Sequence, residues 1–271
     1  SEAFGGDLES QFELGLLAAD PALDEPGLRR LMRDLPVAAA SLLEAAEAGR
    51  PEVLNALGLS YTGGRGLPMD ALEAGKCFAK AAEAGFVPAL VNLALAYGSG
   101  AGIEPDYDKA LALFERAAGA GSPPAYYNLG IAWYNGILKP EDGGKAAEYF
   151  ERAAEGGVRD AFAALGYMYL DGSKVGRDCA KAVRGFTRAA EMGCPDSMLA
   201  LATILHNGDC GPQDPEGSLK WLRLAADAGQ PAAAELLAES DPTYNGGREF
   251  RLAPGMPYPF CLKPQSIRPI M

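Results

Sequence analysis

The sequence predicts an all-α solenoid, and two observations carry that prediction. A short phrase, Ala-Ala-x-x-Gly, starts at Ala45, Ala81, Ala117, Ala153, Ala189 and Ala225, an offset of 36 residues each time. A fixed period of this size marks a repeat architecture in which each copy is one supersecondary unit stacked on its neighbours. Between the phrases, apolar residues recur at i, i+3, i+4 and i+7, as in Ala74, Cys77, Phe78 and Ala81, which is one face of an α-helix.

Taken in order, residues 1–48 are expected to form an N-terminal cap with a worn leading repeat. Asp7 can cap a helix over about 8–19, Asp20-Pro21 and Glu25-Pro26 break the chain after it, and Leu28, Leu31 and Met32 suggest a second short helix. The repeat register starts at Asp34, 36 residues before Asp70. A solenoid needs such a cap over its first exposed apolar face.

Residues 49–239 hold five repeats and a final A helix. In the first repeat, 53–63 reads as helix A and 70–84 as helix B. One column of helix A is Leu57, Leu93, Leu129, Leu165 and Leu201, followed by the small residues Gly58, Ala94, Gly130, Gly166 and Ala202. These small residues are expected to let helix B approach closely. An aromatic column comes next at Tyr61, Tyr97, Trp133 and Tyr169, with Leu205 in the last copy. Gly64, Gly100, Gly136, Gly172 and Gly208 are placed to stop helix A in the left-handed conformation. Asp70, Asp106, Asp142, Asp178 and Asp214 are placed to cap helix B. Pro51, Pro88, Pro123, Pro195 and Pro231 fall in the first turns of the next A helices, where proline is tolerated.

Residues 240–271 form a Pro-rich tail that cannot continue the helices. It also carries Phe250, Leu252, Met256, Tyr258, Phe260 and Leu262. Such apolar content predicts ordered docking. Residues 240–252 would cover the face of Trp221, Leu222 and Leu236, and the remainder would contact the groove or a neighbouring molecule.

The formal charge is −12, so the chain repels phosphate backbones and nucleic acid is not an expected partner. No apolar run reaches membrane-spanning length, so no membrane insertion is expected. The five cysteines, Cys77, Cys179, Cys194, Cys210 and Cys261, are odd in number and irregularly spaced. They predict no disulfide framework and point to a reducing, cytoplasmic setting. Residues 1–7 show no basic flank or apolar leader. A periplasmic or secreted setting would follow if a leader had been removed.

The run Ala125-Tyr126-Tyr127-Asn128-Leu129-Gly130-Ile131-Ala132-Trp133-Tyr134-Asn135-Gly136, with Lys145-Ala146 and Ala153-Ala154-Glu155-Gly156-Gly157, resembles the Sel-one-like repeat (SLR) family, a branch of the tetratricopeptide superfamily. The resemblance spans residues 34–239. It implies a right-handed superhelix of antiparallel helix pairs, A helices lining a concave groove, and an adaptor role. Some family members link the two helices of each repeat by disulfides, and the cysteine pattern here departs from theirs.

On an A helix, residues facing away from helix B recur every three or four positions. This rule selects Asn92 and Leu95, then Tyr127, Asn128, Ile131 and Tyr134, then Tyr167, Leu170 and Asp171, then His206. Stacked Asn92 and Asn128 would suit an extended peptide backbone, because an amide both donates and accepts. The alternative use of Tyr134, Tyr167 and Leu170 is to fill the inter-repeat core, and Tyr127 can be shared with it.

No catalytic constellation or metal set is legible. His206 is the only histidine, no Cys-x-x-Cys pair occurs, and Gly63-Gly64-Arg65-Gly66 lacks the lysine of a phosphate loop. The predicted function is a non-catalytic scaffold, without cofactor, that holds a protein or extended peptide in its groove. The partner would be apolar or basic rather than acidic, with self-contact through the tail as a further expectation. The alternatives are a secreted or periplasmic interaction factor of the same fold, or a weak cell-wall or β-lactam hydrolase.

Overall fold

The computed structural model describes residues 49–63, 67–137 and 141–240, which divide into two compact units between Ala125 and Tyr126. The predicted cap at 1–48 and the tail from 241 onward lie outside these residues. Eleven α-helices and no strands occur among the described residues. They are α1 (Pro51–Gly63), α2 (Ala71–Glu83), α3 (Val87–Ser99), α4 (Tyr107–Gly119), α5 (Pro123–Tyr134), α6 (Gly143–Glu155), α7 (Arg159–Asp171), α8 (Cys179–Glu191), α9 (Pro195–Asn207), α10 (Pro215–Asp227) and α11 (Pro231–Ser240). Odd numbers are the predicted A helices and even numbers the B helices.

The signals that bound these helices act as the sequence predicts at the described positions; the predicted stop Gly64 lies outside them. Gly100, Gly136, Gly172 and Gly208 come after A helices at φ between 64° and 73°, a region open to glycine at little cost. The five aspartates cap the B helices. Asp70 accepts from the backbone N–H of Leu72 and Glu73, and Asp106, Asp142, Asp178 and Asp214 accept from Lys109, Lys145, Lys181 and Gly217.

Each capping aspartate also closes its own repeat. Its backbone N–H donates to the carbonyl of the aromatic-column residue at the end of helix A. The pairs are Asp70 to Tyr61, Asp106 to Tyr97, Asp142 to Trp133, Asp178 to Tyr169 and Asp214 to Leu205, at 2.9–3.1 Å. In the three middle repeats a lysine three residues past the aspartate lies over the same aromatic ring. Lys109 is 5.3 Å from the Tyr97 centroid, Lys145 4.2 Å from Trp133 and Lys181 4.5 Å from Tyr169. A cation over a ring face is held by the ring quadrupole. Asp106 accepts from the Lys109 backbone and pairs with its ammonium at 2.9 Å. These two bonds, backbone first, hold its carboxyl below the usual carboxylate range. Its contribution to stability is complete above the ordinary carboxylate pKa and is lost as the pH falls through the lowered folded value.

The core is the helix B stripe set against the small column of helix A. Phe150 and Phe186 are almost fully buried. The small column does more than let helices approach: it seats these rings. A Cβ at Gly166 would lie 2.7 Å from Phe186 Cδ1, and one at Gly130 would lie 2.6 Å from Phe150. Tyr167 meets Phe186 edge-on, with centroids 4.8 Å apart.

The expectation that the irregular cysteines stay unpaired fails at one pair. Cys179 and Cys210 form a disulfide, with Cα atoms 5.2 Å apart and 31 residues of sequence separation. The bond joins the first residue of α8 to the loop after α9, in the following repeat. Its two halves lie in successive repeats, so no spacing within one copy marks it. Cys77 and Cys194 are buried and take no part in a disulfide, and burial pushes the Cys77 thiol above its ordinary pKa.

Two substitutions separate core from cap. Phe186→Ala empties a buried ring site and is expected to cost about 3–5 kcal/mol in urea unfolding. Asp178→Ala removes the cap and keeps the backbone bond to Tyr169, so about 1 kcal/mol is expected.

Candidate functional site

The first unit carries a cleft of about 900 Å³ on its A-helix side. Leu59 and Thr62 of α1 form one wall, Val87, Pro88, Val91 and Leu95 of α3 another, and the turn from Ala120 to Pro124 closes it. Among the described residues, no charged side chain lines it. The prolines at the helix starts supply rigid apolar surface without a backbone N–H that would need a partner.

Two asparagines supply the polar groups. Asn92 Nδ2 donates to Asn55 Oδ1 at 2.9 Å, across α3 and α1. This bond fixes both amides. Asn55 is left with its Nδ2 donor and Asn92 with its Oδ1 acceptor. No fully buried side-chain nitrogen or oxygen lacks a partner among the described residues. Asn55 is buried at 8% exposure and Asn92 is half-buried, and both line the cleft. Asn92 and Leu95 are predicted site residues; Asn55 is not, because it lies 37 residues from Asn92 and so falls outside the 36-residue columns.

The other predicted residues belong to the second unit. Tyr167 and Leu170 are buried at 6% and 5% exposure in its core, so they offer no surface to a partner. Asn128 is buried at 9% exposure. Tyr127 is half-buried, with its ring 5.7 Å from Phe150. Ile131 and Tyr134 are half-buried and rest on the same core.

Lys174, which the helical-face rule does not select, lies 4.1 Å from the Tyr134 ring centroid. Its ammonium donates to the Tyr134 carbonyl at 2.5 Å and pairs with Glu141 at 2.8 Å. A long side chain from the next repeat's loop reaches back over the ring, which helical spacing within one A helix does not reveal. Asp171 is exposed and accepts from the backbone N–H and hydroxyl of Ser173.

His206 is half-buried near the end of α9. Loss of hydration disfavours its charged form and lowers its pKa below the ordinary value. Among the described residues, no three His, Cys, Asp or Glu side chains gather as a metal site, and no helix is long and apolar enough to cross a membrane.

As the only histidine in the chain, His206 gives one unambiguous imidazole signal. In an NMR titration its midpoint is expected below 6.5, and a midpoint at or above 6.5 contradicts this burial. The neutral form is favoured on folding. Its contribution to stability is complete above the ordinary pKa and is lost as the pH falls through the lowered value.

Comparison with known proteins places this geometry in a family. The Sel1 repeat model matches residues 51–86, 87–122, 123–158, 160–194 and 195–230, more than half of the chain. Comparison with curated proteins finds no match. Among solved structures, the chain is similar to a Sel1 repeat protein from Oxalobacter formigenes. The identity is 26% and the TM-score 0.75, over 88% of this chain and 92% of that one. It is also similar to c5321, a protective antigen of uropathogenic Escherichia coli strains with an SLR fold, at 25% identity and a TM-score of 0.64. That match covers 88% of this chain and 57% of the antigen. Immunity protein PA5088 from Pseudomonas aeruginosa shares the fold at 19% identity and a TM-score of 0.58, over 83% of this chain and 82% of that one. Five consecutive copies of the motif, in helices closed by the same aspartate, make this α-solenoid a member of the Sel1 repeat family.

Proposed function

We propose that the protein is a non-catalytic interaction scaffold that takes an extended peptide segment of a partner in the first-unit cleft. The observation that carries this reading is the Asn55–Asn92 bond, which leaves one donor and one acceptor side by side on an apolar wall. An extended peptide presents an N–H and a C=O on the same edge of one residue, and that pair complements the two amide groups. The apolar lining then selects alternate side chains, while the chain's net charge of −12 favours basic flanks over acidic ones.

Family membership supports the scaffold reading, since Sel1 repeats commonly serve as protein-interaction scaffolds. A second reading differs only in compartment. The Cys179–Cys210 cross-link favours a periplasmic or secreted factor over a cytoplasmic one, because such bonds persist where the surroundings are oxidising.

The test is selection of peptides from a random display library on the immobilised full chain, then titration of the selected peptides. Asn55→Ala with Asn92→Ala is expected to weaken binding about tenfold or more through two lost hydrogen bonds. Leu95→Glu, which places a charge on the apolar wall, is expected to abolish it. Selected peptides that bind the variants as well as the parent, with the helical circular dichroism unchanged, overturn the cleft as the site.

A further inference from the structure

The disulfide occupies a position that recurs in other repeats with different chemistry. The first residue of helix B meets the loop between helices A and B of the following repeat. In the first unit this pair is Ala71 and Gly102, and a side chain at Gly102 would run into the Ala71 backbone. In the second unit Gly143 meets Lys174 and has no room for a Cβ beneath it. The next pair in the same columns is Cys179 and Cys210. Close steric fit marks the first joint, and steric fit with an ion pair marks the second. Only the third of these is covalent.

That third joint also has a non-covalent fastening. Arg177 Nη2 donates to the Asp209 carbonyl at 2.8 Å. The half-buried Cys179 and Cys210 are within reach of a reagent, whereas Cys77 and Cys194 are buried. Cys179 is the first residue of α8, behind the cap Asp178, and Arg177 stands two residues before it. The start of a helix favours negative charge, which makes Cys179 the leaving sulfur.

We propose that Cys179–Cys210 is a reducible clamp between two successive repeats, closed in oxidising surroundings and opened by a dithiol without loss of the fold. One thiolate of the dithiol attacks Cys210 Sγ. The Cys179–Cys210 bond breaks, and its electron pair leaves on Cys179 Sγ. The second thiol of the reagent then attacks the mixed disulfide. Cys210 departs as thiolate, the reagent ends as its cyclic disulfide, and two electrons have passed to the protein. The opened joint keeps the Arg177–Asp209 bond and the contact geometry that serves without a cross-link at Ala71 and Gly143.

The test uses the full chain with dithiothreitol as the probe and hydrogen exchange as the readout. Before reduction, peptide mapping of the alkylated protein is expected to recover one cross-linked pair carrying Cys179 and Cys210. Low-millimolar dithiothreitol, without denaturant, is expected to open it while Cys77 and Cys194 stay unalkylated. Exchange in residues 172–178 and 208–214 should then rise about tenfold or more, with residues 51–119 unchanged. Cys179→Ser with Cys210→Ser should show the faster exchange from the outset and no response to the reagent. No cross-linked pair, a bond that yields only after denaturation, exchange within about twofold of the oxidised protein, or a rise spread over the whole chain would each overturn the clamp.

Discussion

A single aspartate closes each repeat, and the rest of the structure depends on it. Its carboxylate takes up N–H groups at the start of helix B, and its own N–H returns to the helix A carbonyl nine residues earlier, as from Asp142 to Trp133. Two orphaned helix ends are thereby satisfied by one residue. Where a lysine stands three positions on, its ammonium covers the ring on that same helix A end, so backbone, cap and side chain converge on one point. The first and last repeats lack this lysine. Glu73 replaces it beside Tyr61, and Gly217 stands beside Leu205, a residue with no ring to cover.

With the repeat closed from within, the two faces of helix A are left with different tasks. The face toward helix B carries the small column that seats Phe150 and Phe186. The other face is under no such constraint and differs from copy to copy. In the first unit it pairs Asn55 with Asn92 beneath apolar walls; in the second it turns Tyr167 and Leu170 inward. A common frame with one variable face is what allows repeat proteins of one fold to meet different partners.

Much of the fold was legible because its signals are local. A capping aspartate, a glycine that stops a helix and a proline in a first turn act within a few residues of themselves, and the repeat shows each of them several times. The site was legible only in part. Asn92 and Leu95 lie on the face that helical geometry selects, but Asn55 is one residue out of register, so the 36-residue columns do not select it. Tyr167 satisfies the same geometric rule as Leu95 and is nevertheless buried, because Phe186 of the neighbouring helix draws its ring inward. Lys174 and the Cys179–Cys210 pair reach between repeats, and no spacing inside one copy encodes such a contact.

The position of the cross-link also limits how this chain can grow. A repeat that closes on itself can be duplicated in the gene without disturbing its neighbours, since the aspartate bond asks nothing of the adjoining copy. The cysteine joint cannot be duplicated so freely, because its two halves belong to different copies. Doubling residues 159–194 would set one Cys179 against a second Lys174, leaving a lone surface thiol open to intermolecular bonding. The joint thus fixes the order of two modules in an array whose members are otherwise interchangeable.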